Sequence, residues 1–443
     1  MQNVPHFEAH YECFLGCEGT FALDEVIYTC PKCGGLLDVV HDLSALQSKS
    51  GVEWRALLDR RFSPAQMSGT SGVWRQKEWV LPEISDDNIA SLGEGNGYLF
   101  QSPAFSKAMG IDDIFVKQCG HGHTGSFKDL GMTILVSAVK QMIAGGKKIQ
   151  AVVCASTGDT SAALAAYCAA AEIPAVVLLP ENKISTAQLT QPIANGAKTF
   201  SLQTDFDGCM RIVKELTQEP TIYLANSMNA LRIEGQKTIA IEICQQLGWQ
   251  APDWVVVPGG NLGNISAIGK GFSLAHDLGL VDKKPRLVCA QTEAANPLYE
   301  SFKNGFTTFS AKTAGETAAS AIRIGDPVSV HKAIHTLRKF DGIVEQASEE
   351  ELAEAATQAD RTGLFTCPQT AVALAATKKL ALKNKIKKSE KVVVVSTAHG
   401  LKFTEFKTRL HQQGAANANF PVSLPAKTEA VLEALHENES SSR

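Results

Sequence analysis

The turn Gly122-His123-Thr124-Gly125-Ser126-Phe127-Lys128-Asp129-Leu130-Gly131 places one lysine among small residues, just before the apolar run of residues 132–139. Lysine ordinarily lies on the solvated surface, where its charge costs little and its long side chain keeps its rotamers. A lysine that enters a pocket from such a turn loses solvation, drops its pKa and becomes a nucleophilic, Schiff-base-forming amine. Alone, the motif is equally a structural lysine at the start of a helix. What decides is whether the chain also supplies an anion cradle and a partner for a bound ring.

Three loops bear on that question. Ser156-Thr157-Gly158-Asp159-Thr160 joins an apolar run to an Ala-rich one. Hydroxyls and backbone N–H groups at a helix N-terminus, which carries about half a positive charge, suit a carboxylate or phosphate. Helix capping is the simpler reading of that loop taken alone. Pro258-Gly259-Gly260-Asn261-Leu262-Gly263-Asn264 follows directly on Val255-Val256-Val257. Its glycines let consecutive N–H groups turn toward an anion, making a phosphate nest. The next strand runs from Arg286 to Ala290 and ends at Gln291, not at an acid, so a lone phosphate suits the loop better than a dinucleotide. Ser396-Thr397-Ala398-His399-Gly400-Leu401-Lys402 follows the last Val-rich run. A hydroxyl there can meet a ring nitrogen or shape a turn, and His399 reads as a base or as a hydrogen-bonded structural group. A fourth stretch, from Asn226 and Ser227 to Lys237, gathers amides and cations. Arg232 can grip a phosphate in a forked geometry, although an ion pair with Glu234 is the simpler reading.

Such loops act together only if the elements between them converge. Residues 151–154, 175–179, 254–257, 286–289 and 392–395 read as strands, and 161–171, 264–278 and 348–362 as helices. Continuous Val-rich strands separated by helices imply mostly parallel sheets covered on both faces, with ligands beyond the C-terminal strand ends. A chain of 443 residues exceeds one ordinary core. The expected units are a cysteine-bearing one at 1–45, an extension at 46–110, a smaller domain at 111–225 carrying Lys128, a larger one at 226–410 with the glycine-rich loop, and a tail at 411–443. Periodicity defines no firm element within 46–90. The tail is polar apart from an amphipathic patch at 428–435.

A net charge of −4 gives no electrostatic reason to expect nucleic acid or an anionic membrane as a partner, and no apolar stretch is long and uncharged enough to span a bilayer. Seven of the 11 cysteines are scattered, several within apolar runs, as reduced core cysteines are. With no secretory pattern at the N-terminus, a cytoplasmic protein is expected. The other four cysteines crowd into the first 33 residues. Cys13-x3-Cys17, twelve intervening residues and Cys30-x2-Cys33 have the layout of a zinc ribbon, and a structural zinc is expected there.

Taken together, these motifs resemble the threonine synthases, enzymes that use pyridoxal 5'-phosphate and have the tryptophan-synthase-β-like fold (fold type II). The likeness runs from about residue 20 to 435 and is closest to the plant-type branch. It rests on Ser91-Leu92-Gly93-Glu94-Gly95-Asn96, the Lys128 turn, and the loops at 156–162, 226–238, 258–264 and 396–403. The resemblance implies an α/β protein with two open, mostly parallel-sheet domains and a small N-terminal zinc-ribbon-like unit. It implies that Lys128 holds the cofactor and moves protons, that Gly259, Gly260, Asn261, Leu262, Gly263 and Asn264 hold its phosphate, and that Thr397 meets the pyridine nitrogen. It places Asp159 beside the cofactor, where many relatives have Asn. Ser156, Thr157 and Thr160 would receive the substrate carboxylate or phosphate, with Asn226, Ser227 and Arg232 on the substrate phosphate side. The implied reaction turns O-phosphohomoserine and water into L-threonine and phosphate, in a homodimer. Plant-type relatives respond to S-adenosylmethionine, for which no stretch here marks a site. Two other readings stay open. One is a related enzyme acting on another amino acid, cysteate-synthase-like or threonine-dehydratase-like. The other is a non-catalytic metabolite sensor, against which an intact Lys128 argues.

Overall fold

The Val-rich runs become the central strands of two sheets, because a strand covered on both faces has no polar side to show. The computed structural model describes residues 6–62, 71–156, 158–181, 186–412 and 419–440. Its strands are β1 (Ala9–Cys13), β2 (Thr20–Ala22), β3 (Leu37–His41), β4 (Leu99–Phe100), β5 (Asp113–Gln118), β6 (Ala151–Ala155), β7 (Ala175–Pro180), β8 (Lys198–Leu202), β9 (Ile222–Leu224), β10 (Trp254–Pro258), β11 (Arg286–Thr292), β12 (Ile343–Ala347) and β13 (Lys391–Ser396). They form three sheets in the orders β2-β1-β3, β12-β11-β10-β13-β5-β4 and β8-β7-β6-β9. The first is antiparallel. The six-stranded sheet is parallel except for β4 at its edge. The four-stranded sheet is parallel throughout.

The expected α/β architecture is therefore present, with one correction to its boundaries. Residues 111–118 do not open the smaller domain: β5 pairs with β13 from Asp113↔Lys391 to Gln118↔Ser396 and belongs to the large sheet. Locally, an apolar strand followed by a loop and a helix looks the same in either sheet. Its partner lies far along the chain, where no local pattern reaches. The smaller sheet starts only at β6.

Two helices set the site. Lys128–Ala144 crosses Leu231–Gln236 so closely that a Cβ on Gly235 would fall 1.7 Å from Leu130 O, and one on Gly131 would fall 2.8 Å from Arg232 O. Only glycine at both positions lets the backbones touch. In the extension, Ser50 and Glu53 form a capping box for the helix Gly51–Arg61, whose buried Trp54 packs edge-on against Trp79 at 5.0 Å. The tail carries the helix Thr428–Ser440. Among the described residues, no helix is long and apolar enough to cross a membrane.

Candidate active site

Lys128 opens its helix directly after a turn that the large sheet holds in place. Phe127 N donates to Thr397 O and His399 N to Gly125 O, both at 2.9 Å, and Ser126 faces Ala398 in an isolated antiparallel bridge. The lysine turn and the loop after β13 are thus one short ladder. Asp129 closes the turn from inside, its Oδ2 accepting from Thr124 N at 2.9 Å and its Oδ1 from the Thr124 hydroxyl. Burial pushes that carboxyl up to about 6. Lys128 Nζ lies 4.2 Å from the centroid of the Phe127 ring. Loss of water, then the charge of Arg232, lowers the amine to about 7, while Asp159 acts the other way. A neutral, nucleophilic amine is therefore available near neutral pH.

The glycine-rich loop is built as a cradle. A Cβ on Gly259 would fall 2.3 Å from Cys289 Sγ, so the chain passes there only as glycine. Leu262 takes a left-handed φ of +66° just before the helix Gly263–Asp277, a conformation uncommon for a residue with a side chain. Asn264 turns back, its Nδ2 donating to Pro258 O at 2.5 Å and its Oδ1 accepting from Ile265 N at 2.9 Å. Asn261 O accepts from Ser329 N at 3.1 Å. These bonds fix the loop, while the N–H groups of Gly260, Asn261, Leu262 and Gly263 meet no acceptor among the described residues. Unmet donors at the start of a 15-residue helix fit a cofactor phosphate. At the other end of the site, Thr397 is buried, with its Oγ1 3.8 Å from Cys367 Sγ and its N donating to Thr370 Oγ1 at 3.3 Å. His399 is a structural group: its Nδ1 accepts from Leu401 N at 3.1 Å.

The small-sheet side brings most of the remaining candidates together. Ser156 Oγ accepts from Gly158 N and Ser161 N at 3.2 Å and so secures the first turn of the helix Asp159–Ala170. Thr157 lies outside the described residues. Thr160 Oγ1 accepts from Arg232 Nη2 at 3.4 Å. Ser227 is half-buried. Asn226 needs a correction: its Oδ1 accepts from Ala155 N at 3.0 Å and its Nδ2 donates to Ala155 O at 2.9 Å. The amide extends the backbone ladder of β6, so its first role is to place the loop rather than to receive substrate.

Arg232 also departs from the simpler expectation. Glu234 bonds His41, Lys237 and Lys270 and leaves the arginine alone. Arg232 is 4% exposed, its Nη1 donates to Ala225 O at 3.1 Å, and its Nε has no partner. No carboxylate pairs with it among the described residues, and burial lowers it to about 10. A buried cation without an acid is an anion site in waiting.

One functional residue was missed from sequence. Lys402 Nζ donates to Thr124 O at 2.9 Å and Gln191 Oε1 at 2.8 Å and lies 3.3 Å from Asp159 Oδ1. Its stem runs over Gly125 of the lysine turn. The Asp159 carboxylate is thus paired with a cation inside the site. The available signal was a cation five residues beyond Thr397 in a strand-end loop. His123, by contrast, is exposed.

Away from the cleft, the sulfurs of Cys13, Cys17, Cys30 and Cys33 all lie within 4.8 Å of one another. Gly34 N donates to Cys30 O at 2.8 Å and Gly35 N to Cys33 Sγ at 3.4 Å, which folds the second pair into a knuckle.

Residues 90–398 match the family model of the pyridoxal-phosphate dependent enzymes. Threonine synthase 2, chloroplastic, of Arabidopsis thaliana is 54% identical over 425 residues, covering 94% of this chain and 82% of that one. The threonine synthase of Methanocaldococcus jannaschii is 41% identical over 389 residues, covering 88% and 92% respectively. The solved structure of threonine synthase from Escherichia coli superposes with a TM-score of 0.66 over 97% of this chain and 100% of that one, at 20% identity, a likeness of fold. With a cradle and a lysine that suit the cofactor and relatives this similar along most of its length, the chain belongs to the pyridoxal-phosphate-dependent enzymes and, among them, to the threonine synthases.

Proposed function

We propose that the protein converts O-phosphohomoserine and water into L-threonine and inorganic phosphate. The observation that carries this reading is Arg232, a buried guanidinium with no acidic partner among the described residues, close enough to Lys128 to lower its pKa. A substrate that brings its own phosphate supplies the missing anion. Pyridoxal phosphate, when bound, is the electron sink that makes protons next to the amino carbon removable. Lys128 would hold it, the Gly260, Asn261, Leu262 and Gly263 N–H groups would take its phosphate, and Thr397 would face its ring nitrogen.

The chain's own groups do the rest. Arg232 and the Thr160 hydroxyl orient the phosphate ester, and the N-terminus of the helix Asp159–Ala170 receives the carboxylate. Lys128 Nζ, neutral for much of the time near pH 7, takes the proton from Cα. A Cβ proton follows, and the Cγ–O bond breaks with both electrons leaving on phosphate. Water then forms the Cβ–O bond, its second proton passing to the departed phosphate, and the two protons taken from carbon return by way of Lys128, one to Cγ, which becomes the methyl carbon, and one to Cα. The test is product analysis of the holoenzyme. Equal amounts of threonine and phosphate from O-phosphohomoserine are expected. Release from O-phosphoserine instead, or no phosphate at all, would replace this reading with one of the related activities.

A structural zinc in the N-terminal unit is part of the same proposal. Four thiolates at about 2.3 Å from one zinc lie about 3.8 Å apart, and the four sulfurs here lie within 4.8 Å. One zinc per chain is expected by elemental analysis. Zinc-free protein from zinc-replete growth would overturn it.

A further inference from the structure

Strand β3, next to the cysteine cluster, carries a set of charges that the reaction above does not use. Glu234 is fully buried two residues after Arg232. Its Oε2 accepts from His41 Nε2 at 2.7 Å and from Lys237, and its Oε1 from Lys270 Nζ at 2.6 Å. Lys270 also donates to Asp38 Oδ1 at 3.0 Å and to Val39 O. Lys332 adds bonds to Leu37 O at 2.7 Å and to Asp38 Oδ1 at 3.3 Å. A carboxylate only accepts, so the 2.7 Å contact needs the hydrogen on His41 Nε2, a nitrogen that Lys237 Nζ also approaches to 3.1 Å, while Nδ1 has no partner among the described residues.

These contacts converge on two parts of the site. Glu234 sits on the six-residue helix of Arg232, which has no side-chain cap and draws its position from tertiary contacts. Lys270 sits on the helix whose first turn closes the phosphate cradle. Between them, Ile233 Cδ1 approaches to 3.4 Å of where a Cβ on Gly263 would stand. We propose that His41 and Asp38 of the N-terminal unit are positioning residues for phosphate-ester recognition: through Glu234 and Lys270 they set the distance from Arg232 to the cradle. The cysteine-bearing unit is then a working part of the active-site frame. This inference rests on the reading of Arg232 as the substrate's anion site.

The test compares His41→Leu and His41→Gln holoenzymes for binding of inorganic phosphate by calorimetry and for KM and kcat with O-phosphohomoserine. His41→Leu is expected to weaken phosphate binding and raise KM about tenfold, the size of a small displacement in a coupled network. His41→Gln, whose amide can still donate to Glu234, should recover most of that loss. Phe7→Ala serves as the control. It removes a ring contact of the same unit, with Trp54 at 5.9 Å, that involves none of Glu234, Lys270 and Lys332. It should lower the melting temperature and leave phosphate affinity intact. Unchanged phosphate affinity in His41→Leu, or an equal loss in Phe7→Ala, overturns the proposal. If His41→Leu does not fold, the more exposed Asp38→Asn carries the same expectation at about threefold, and an unchanged affinity there is equally fatal. Wild-type protein that binds phosphate but releases none from O-phosphohomoserine would refute the proposed reaction while leaving the phosphate arm of this test valid.

Discussion

Replacing Arg232 by methionine should stabilise the free protein and disable it. The guanidinium is buried with no carboxylate beside it among the described residues, and burial lowers its pKa to about 10, a loss of more than two orders of magnitude in proton affinity. At about 1.4 kcal/mol per order of magnitude, the uncompensated charge destabilises the fold by about 3 kcal/mol. Methionine removes that burden at similar length, but it leaves Ala225 O without its donor, a loss of about 1–1.5 kcal/mol. The net gain is about 1–2 kcal/mol, or about 1–3 °C in melting temperature for a chain of this size. Catalysis should move the opposite way. Truncating one member of a buried, hydrogen-bonded charge pair costs about 2–5 kcal/mol, so kcat/KM for O-phosphohomoserine should fall by roughly 30-fold to several thousandfold. Thermal denaturation without phosphate and a phosphate-release assay measure the two halves. A variant that loses several degrees along with its activity would show Arg232 to be a structural residue. An unchanged kcat/KM would remove it from the substrate site.

Further outcomes follow from the same geometry. Lys128 is lowered to about 7, so capture of pyridoxal phosphate by the cofactor-free protein should rise with pH and reach half its maximum near 7. Since the folded state holds that proton less tightly than the unfolded one, stability of the cofactor-free protein should also rise from about pH 7 toward the amine's ordinary value; a rise beginning only above pH 9 would contradict the depressed amine. Lys402→Met should lower kcat/KM about tenfold by leaving Asp159 unpaired at 3.3 Å. Adding Asp159→Asn should recover part of the loss, and strictly additive effects in the double-mutant cycle would show that the two do not act as a pair. Gly235→Ala, whose Cβ would fall 1.7 Å from Leu130 O, should destabilise the fold by more than about 3 kcal/mol. A melting temperature within a degree of wild type would mean that the helix crossing yields easily.

The loops that gather at the cleft were legible because parallel sheets display their strand ends on one side. Gly259 to Asn264 and Thr397 follow β10 and β13, which are adjacent, with Val255 paired to Val393. The helix expected at 348–362 appears as Glu349–Asp360, opened by the capping box of Ser348 and Glu351, since both of its signals are local. What escaped depended on distant pairing. β5 carries nothing in its own residues to say that β13 is its neighbour. Glu234 had an obvious partner two residues away in Arg232, yet its partners come from β3, from the end of its own helix and from the cradle helix. Asn226 read as a ligand because an amide among cations looks available, and only the approach of Ala155 shows otherwise.

The ladder from Phe127 to Thr397 and from Gly125 to His399 divides the site mechanically. Lys128, Thr397 and the glycine-rich loop are tied to the six-stranded sheet, whereas Ser156, Asp159 and Thr160 follow a strand of the four-stranded one. A hinge between the sheets would carry the helix Asp159–Ala170 past Lys128 and Thr397. In such a motion the Lys402–Asp159 pair and the Arg232–Thr160 hydrogen bond would be the contacts under load.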